Sequence, residues 1–191
     1  MPLDDAELVG RAQHGDATAF EALVRRHQGV AQRAAWLVTG SEQEAADAVQ
    51  EGFVKAWRAL PRFRSEAAFR PWLLRIVVNT ARNRRRSAWR FDAARMRLAA
   101  LPQRDMPSPE SAALDAANAT ALMAALQQMS ARDREVIACR YLLELSEAET
   151  GEVLGCAPGT VKSRLSRALT RLREQLGTTP AFAGRSLEGG A

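Results

Sequence analysis

Arg82, Arg84, Arg85, Arg86 and Arg90 crowd the end of the stretch WLLRIVVNTARNRRRSAWR, residues 72–90, and no Asp or Glu lies between Glu66 and Asp92. A guanidinium is permanently charged and presents a fork of N–H donors that matches phosphate oxygens, so an acid-free run points to a negative partner outside the chain. A second tract has the same character. Between Glu152 and Glu174 stand Lys162, Arg164, Arg167, Arg171 and Arg173, again with no acid. Thr160, Ser163, Arg164, Arg167 and Arg171 recur there at three- and four-residue steps, one face of a helix. Hydroxyls near a helix start suit phosphate contact, and arginines one turn further in reach guanine O6 and N7 in a major groove. On the first tract, Arg75, Asn79, Arg82 and Arg86 share a face in the same way. Two cationic faces, one in each half, suggest two contacts with a polyanion.

Other chemistries have no support in the residues. There is no acidic metal cluster, no paired nucleophile and base, and no Gly-rich phosphate loop, so no catalytic residue, metal or cofactor is expected. His14 and His27 are isolated. Cys139 and Cys156 lack CxxC spacing and read as reduced thiols of a cytoplasmic protein. No apolar run approaches the roughly 18 residues of a membrane span, and MPLDDAELVG has neither the basic start nor the apolar core of a secretory signal.

The elements that must carry these faces are helical. The chain has 191 residues, 47% of them hydrophobic, and it is rich in Ala, Leu and Arg rather than in strand formers. Phe20, Leu23, Val24, His27, Val30, Ala31, Ala34 and Leu37 follow helical spacing until Gly40. SEQE, from Ser41, reads as a capping box, opening a helix whose apolar stripe is Ala45, Val49, Phe53, Ala56, Trp57 and Leu60. Leu73, Leu74, Val77 and Ala81 form the buried side of the next. Residues 1–90 are thus expected to form one helical domain. Residues 91–118, with Pro102, Pro107 and Pro109, read as a flexible linker with room for a short helix before Pro102. A second domain is expected over residues 119–176. There SARD caps one helix, SEAE caps a shorter one, Gly155 makes a tight turn and Pro158 opens a long basic helix. Those proportions are a helix-turn-helix, with Leu154, Val161, Leu165, Leu169 and Leu172 inward. The remainder, 177–191, reads as a disordered tail.

The wording is more specific than the outline. LGCAPGTVKSRLSRALTRLREQL resembles the region-4 helix-turn-helix of bacterial sigma factors, especially the extracytoplasmic-function (ECF) group of the sigma-70 family. DAVQEGFVKAWRAL and FRPWLLRIVVNTARNRRR are similar to that family's region 2, in the right order. Two departures stand out. Gly151 occupies a position where a helix-packing alanine is usual, at a propensity cost of about 1 kcal/mol, and Asn83 stands where many members carry an acid.

The resemblance implies an all-α fold of two small helical domains joined by a flexible linker, and a protein that brings core RNA polymerase to promoter DNA. It implies that the loop from Arg62 to Arg70 captures a base flipped from the minus-ten element, with Phe63, Arg64, Ser65 and Asn79 as the pocket. Arg75, Arg82, Arg84, Arg85 and Arg86 would then lie along the DNA backbone. Thr160, Lys162, Ser163, Arg164, Arg167 and Arg171 would read the minus-thirty-five element. Asp47, Gln50 and Glu51, supported by Phe53, would dock on the β′ clamp helices, and the polymerase β flap would be a further partner. An anti-sigma factor, commonly membrane-anchored, holds many such proteins. A helix-turn-helix regulator that binds DNA without polymerase is the alternative, and footprinting with and without core polymerase separates the two.

Overall fold

Short polar side chains start nearly every helix. In the computed structural model, which describes residues 3–64, 68–95, 122 and 124–177 without the side chains of 88–95, Asp4 and Glu7 close a reciprocal capping box on helix α1, Asp5–Gln13. Asp16 accepts from the backbone N–H groups of Thr18 and Ala19 and starts α2, Ala17–Thr39. Gly40, in the left-handed region at φ 72°, ends it. Ser41 caps α3, Glu42–Ala59, through the Glu44 N–H at 3.4 Å. Leu60–Arg62 form a single 3-10 turn containing Pro61. The longest helix, α4, spans Phe69–Arg95 and accepts Pro71 because a first-turn residue needs no intrahelical donor. It continues five residues into the expected linker; the rest of that linker and the tail beyond Gly177 lie outside the described residues.

Residues 124–128 are helical, and Ser130 caps α5, Ala131–Ile137. The chain then widens into a π-helical turn, Ala138–Leu142, closed by Leu143 N–H to the Ala138 carbonyl at 2.9 Å. Helix α6, Glu147–Leu154, has a full capping box between Ser146 and Glu149. That box holds the Glu149 carboxyl below its ordinary value, chiefly through hydrogen bonding with the Ser146 backbone. Helix α7 is Pro158–Gly177. The described residues contain helices and no strands, the all-α class expected.

Helices α2, α3 and α4 pack around Leu23, Ala31, Ala45, Phe53, Leu73, Leu74 and Val77. Each fully buried Leu or Val there contributes about 1.5–3 kcal/mol. Gly52 lets α3 and α4 approach: a Cβ at this position would lie 2.9 Å from Val77 Cγ2. A second, smaller core joins Leu126, Met129, Val136, Ile137, Val161, Ala168 and Leu172. The separation suggested by a flexible tether is not what the helices display. Cys139, Leu143, Leu145 and Val153, all from the C-terminal half, are buried in the first core. The π turn and α6 offer more apolar surface than the small second core covers, and α2 and α4 take the excess.

Candidate nucleic-acid interface

Along α4 the basic tract divides by partner. Arg75 and Asn79 are exposed one turn apart. Arg82 donates from Nη1 to Asn79 Oδ1 at 3.1 Å and makes a two-point contact with Glu135 of α5, Nε to Oε1 at 3.0 Å and Nη2 to Oε2 at 2.6 Å. The hydrogen bond to Glu135 raises the Arg82 pKa against the opposing effect of burial. Arg84 turns the other way, pairing with Asp47 at 2.6 Å and with Glu51 at 3.6 Å on α3. Arg85 donates to the Val38 carbonyl at 3.0 Å, and Arg86 is exposed. Of the five arginines expected along DNA, Arg75 and Arg86 are exposed, whereas Arg82, Arg84 and Arg85 are engaged with groups of the chain in this arrangement. The acids missing from the tract arrive from α3 and α5, where sequence proximity cannot reveal them.

The loop before α4 is anchored from a distance. Gln13 Nε2 donates to the carbonyls of Leu60 and Phe63 at 3.0 and 2.8 Å. Phe63 itself is buried, its ring 4.7 Å from Trp72 and edge-on to Phe69 at 6.0 Å. As an open wall for a flipped base, Phe63 does not meet the expectation: its faces are covered by other rings, and Trp72 is the half-buried member of the group. Arg64 is exposed, and Ser65 lies outside the described residues.

The helix-turn-helix forms as α6, a turn and α7. Gly155 adopts φ 69°, and Cys156 N–H closes onto the Gly151 carbonyl at 2.9 Å. Gly151 has a sharper role than its low helix propensity suggests. A Cβ there would stand 2.6 Å from the Cys156 carbonyl oxygen, so this turn is tighter than an alanine permits. On α7, Lys162, Ser163 and Arg167 are exposed, and Thr160 and Arg164 are half-buried. Ser163 Oγ donates to the Thr160 carbonyl at 3.2 Å, and Arg167 Nε donates to the Ser163 carbonyl at 3.1 Å. Arg171 is tied to Asp133 of α5 at 2.6 Å and braces the second core from outside.

The surface of α3 differs from both. Gln50 is exposed, while Asp47 and Glu51 share Arg84. Lys55, hydrogen-bonded to Glu51 at 2.7 Å, and then Arg84 keep the Glu51 carboxyl below its ordinary pKa. Phe53 is buried, edge-on to Phe20 at 6.4 Å. Trp57, placed by periodicity in the apolar stripe, is 37% exposed, and Val54 is 45% exposed. Their exposure adds an apolar component that spacing alone did not separate from the core. Four other residues were also missed: Gln13, Arg70, Arg132 and Glu135. Arg70 Nη2 donates to the Leu143 carbonyl at 2.5 Å across the two halves. No motif marked these residues: Gln13, Arg70 and Glu135 act through partners remote in sequence, and Arg132 meets the basic tract of α4 only in the folded chain.

Among the described residues no cluster of His, Cys, Asp and Glu is placed to hold a metal ion. No helix among them is long and apolar enough to cross a membrane. Comparison with known proteins matches the Sigma-70 region 2 family over residues 23–91 and the Sigma-70, region 4 family over residues 119–172. The ECF RNA polymerase sigma factor SigM of Mycobacterium tuberculosis is 35% identical over 91% of this chain and 85% of its own. Among solved structures, CnrH in complex with the cytosolic domain of CnrY superposes with a TM-score of 0.67 at 30% identity, covering 90% of this chain and 96% of that one. The sigma factor RpoE bound to the anti-sigma factor NepR, from Bartonella quintana, gives 0.69 at 26% identity over 83% and 97%. With both regions present in order on an all-helical scaffold, the chain belongs to the ECF sigma factors of the sigma-70 family, the transcription initiation factors that direct RNA polymerase to promoters.

Proposed function

We propose that α7 reads the minus-thirty-five element, that α4 with its preceding loop engages the minus-ten element, and that α3 docks on core polymerase. The reading rests on one arrangement: two exposed hydrogen-bonding faces on separate helices, and a third surface of different chemistry. Lys162, Ser163 and Arg167 are exposed over the first turns of α7, which suits a major groove. Arg75 and Asn79 lie on one turn of α4, where an amide can hydrogen-bond an unstacked base edge. Gln50, Val54 and Trp57 on α3 combine an amide with exposed apolar surface, the composition of a protein interface rather than a phosphate track. The β′ clamp helices and β flap are the expected sites on polymerase. Run-off transcription from a genomic fragment library, with core polymerase and this chain, tests the whole assignment. Enrichment of transcripts sharing two upstream elements supports it, and promoter-independent starts refute it. Because the two superposed sigma factors were solved with CnrY and NepR bound, an anti-sigma factor that grips the packed halves is a further expected partner. Localisation in the cytoplasm, beside polymerase, follows from the same reading.

A further inference from the structure

We infer that the cleft between α4 and the C-terminal half is a binding site for a compact polyphosphate anion, inorganic or the tail of a nucleotide, which clamps the two halves together. The cleft measures about 910 Å³ and is lined by Arg82, Arg85 and Arg86 of α4, Arg132 and Glu135 of α5, and Arg164 of α7. Glu135 is the one carboxylate on its wall, and both its oxygens are committed to Arg82. Arg85 already donates to the Val38 carbonyl. The site therefore stands on Arg86, Arg132 and Arg164, three guanidiniums from three helices with no hydrogen bond or ion pair among the described residues.

Their surroundings add positive charge rather than relieving it. Arg134, two residues from Arg132, is 1% exposed; its Nη1 donates to the Gln127 carbonyl and Oε1, while its Nε and Nη2 have no hydrogen-bond partner among the described residues. Burial, and then the nearby Arg85, make its proton easier to lose. Converging guanidiniums of like charge are unfavourable without a counter-anion, and their forked donors match phosphate oxygens at two points each.

Size selects the ligand. Clefts of about 300–1,000 Å³ accommodate small molecules, and this one is open to solvent at Arg86 and Arg132, so a short phosphate chain can enter it. A linear chain of three or four phosphates supplies enough oxygens for arginines on opposite walls. Val38 and Leu154 also line the space, so a nucleoside can be accommodated, but the shared chemistry is the phosphate chain. The consequence for promoter binding rests on the function proposed above, since Arg86 and Arg164 also belong to the expected DNA faces. Binding itself does not rest on it.

Isothermal titration calorimetry of the full chain, without polymerase, with inorganic tripolyphosphate and separately with ATP at fixed ionic strength, tests the site. One saturable site is expected, with equal affinities if only phosphates are held and tighter ATP binding if the nucleoside contributes. Arg132→Gln should weaken binding by about tenfold, the loss of one charge-assisted contact. Arg25→Gln, on the remote face of α2 and paired there with Glu21, should leave it unchanged. Arg132 has no place in the proposed DNA or polymerase surfaces. Run-off transcription without anion should therefore be unaltered in Arg132→Gln, while inhibition by tripolyphosphate is relieved. Absence of saturable binding to both probes, or equal weakening by Arg132→Gln and Arg25→Gln, overturns the site and leaves a diffuse counter-ion effect. Failure of transcription itself would count against the promoter reading and not against the calorimetric result.

Discussion

Asn79 and Phe63 were paired in one expectation, and their surroundings separate them. Asn79 is exposed and, among the described residues, anchored only by Arg82, so Asn79→Ala removes a donor and an acceptor without opening a cavity. Strand opening, followed by permanganate reactivity of the minus-ten region, should fall by about tenfold, while association with core polymerase is unchanged. Normal opening in that variant would end the base-contact assignment. Phe63 is 8% exposed, and Phe63→Ala should instead cost about 3–5 kcal/mol of stability in urea unfolding, as buried aromatic truncations do. Loss of opening without loss of stability would restore its place as an exposed pocket wall. The cysteines divide on the same ground. Burial pushes the Cys139 thiol up to about 12, which leaves almost no thiolate at neutral pH, whereas Cys156 is half-buried. A colorimetric thiol reagent at pH 8 should label one sulfur in the folded chain and two in denaturant. Rapid labelling of both in the native protein would contradict the burial of Cys139.

At the scale of elements, caps and apolar stripes were legible because each is a short-range property. Ser41, Ser130 and Ser146 all start helices as the sequence implied. The π turn was not legible, since Ala138–Leu142 carry no breaker and its buried residues pack against α2, remote in sequence. Gly151 shows the limit most clearly. Propensity alone makes Gly151→Ala stabilising by about 1 kcal/mol. The clash at 2.6 Å with a backbone carbonyl argues the reverse, because overpacking against an immobile atom costs about 1–3 kcal/mol. Thermal unfolding should show a lower midpoint for this variant, and a higher one would mean that the turn relaxes freely. The α1–α2 contact has its own pH dependence. His27, buried beside Phe69 with its ring nitrogen 2.8 Å from Asp5, has its pKa lowered by burial, which outweighs the attraction of Asp5; Arg26 and Arg70 push in the same direction as burial. The folded chain thus refuses a proton that the unfolded chain accepts once pH drops below 6.5. Stability attributable to this residue is intact above that pH and declines below it, by at most about 1.4 kcal/mol per pH unit, until the folded pKa is reached. His27→Asn should flatten this part of a urea-midpoint profile between pH 8 and pH 5, and an unchanged slope would exclude His27 as its source.

Across the whole molecule, the packing of the two halves and the proposed DNA surfaces compete for the same arginine. Arg82 gives its Nε–Nη2 edge to Glu135 and an Nη1 donor to Asn79, so a phosphate that takes that edge displaces Glu135. Promoter engagement through that edge would therefore break the Arg82–Glu135 pair, whose side chains are 25% and 8% exposed. None of this was visible in the sequence, where 53 positions separate the partners. Glu135→Gln keeps the volume and one acceptor but removes the charge that holds Arg82. Hydrogen bonds to a charged partner are worth about 1.5–3 kcal/mol, so the packed arrangement should weaken by roughly a tenfold change in its equilibrium constant. Two measurements follow from that shift. Energy transfer between dyes placed on α3 and α7 should report a larger mean separation, and affinity for a single-stranded minus-ten oligonucleotide should rise. Arg82→Ala should loosen the packing equally while lowering the oligonucleotide affinity, since it removes the arginine from both interactions. That opposite response distinguishes competition from general loosening. If Glu135→Gln changes neither separation nor affinity, Arg70 and the buried Cys139, Leu143 and Leu145 hold the halves together without help from the ion pair. Arg82 would then be a packing residue rather than one that DNA must win.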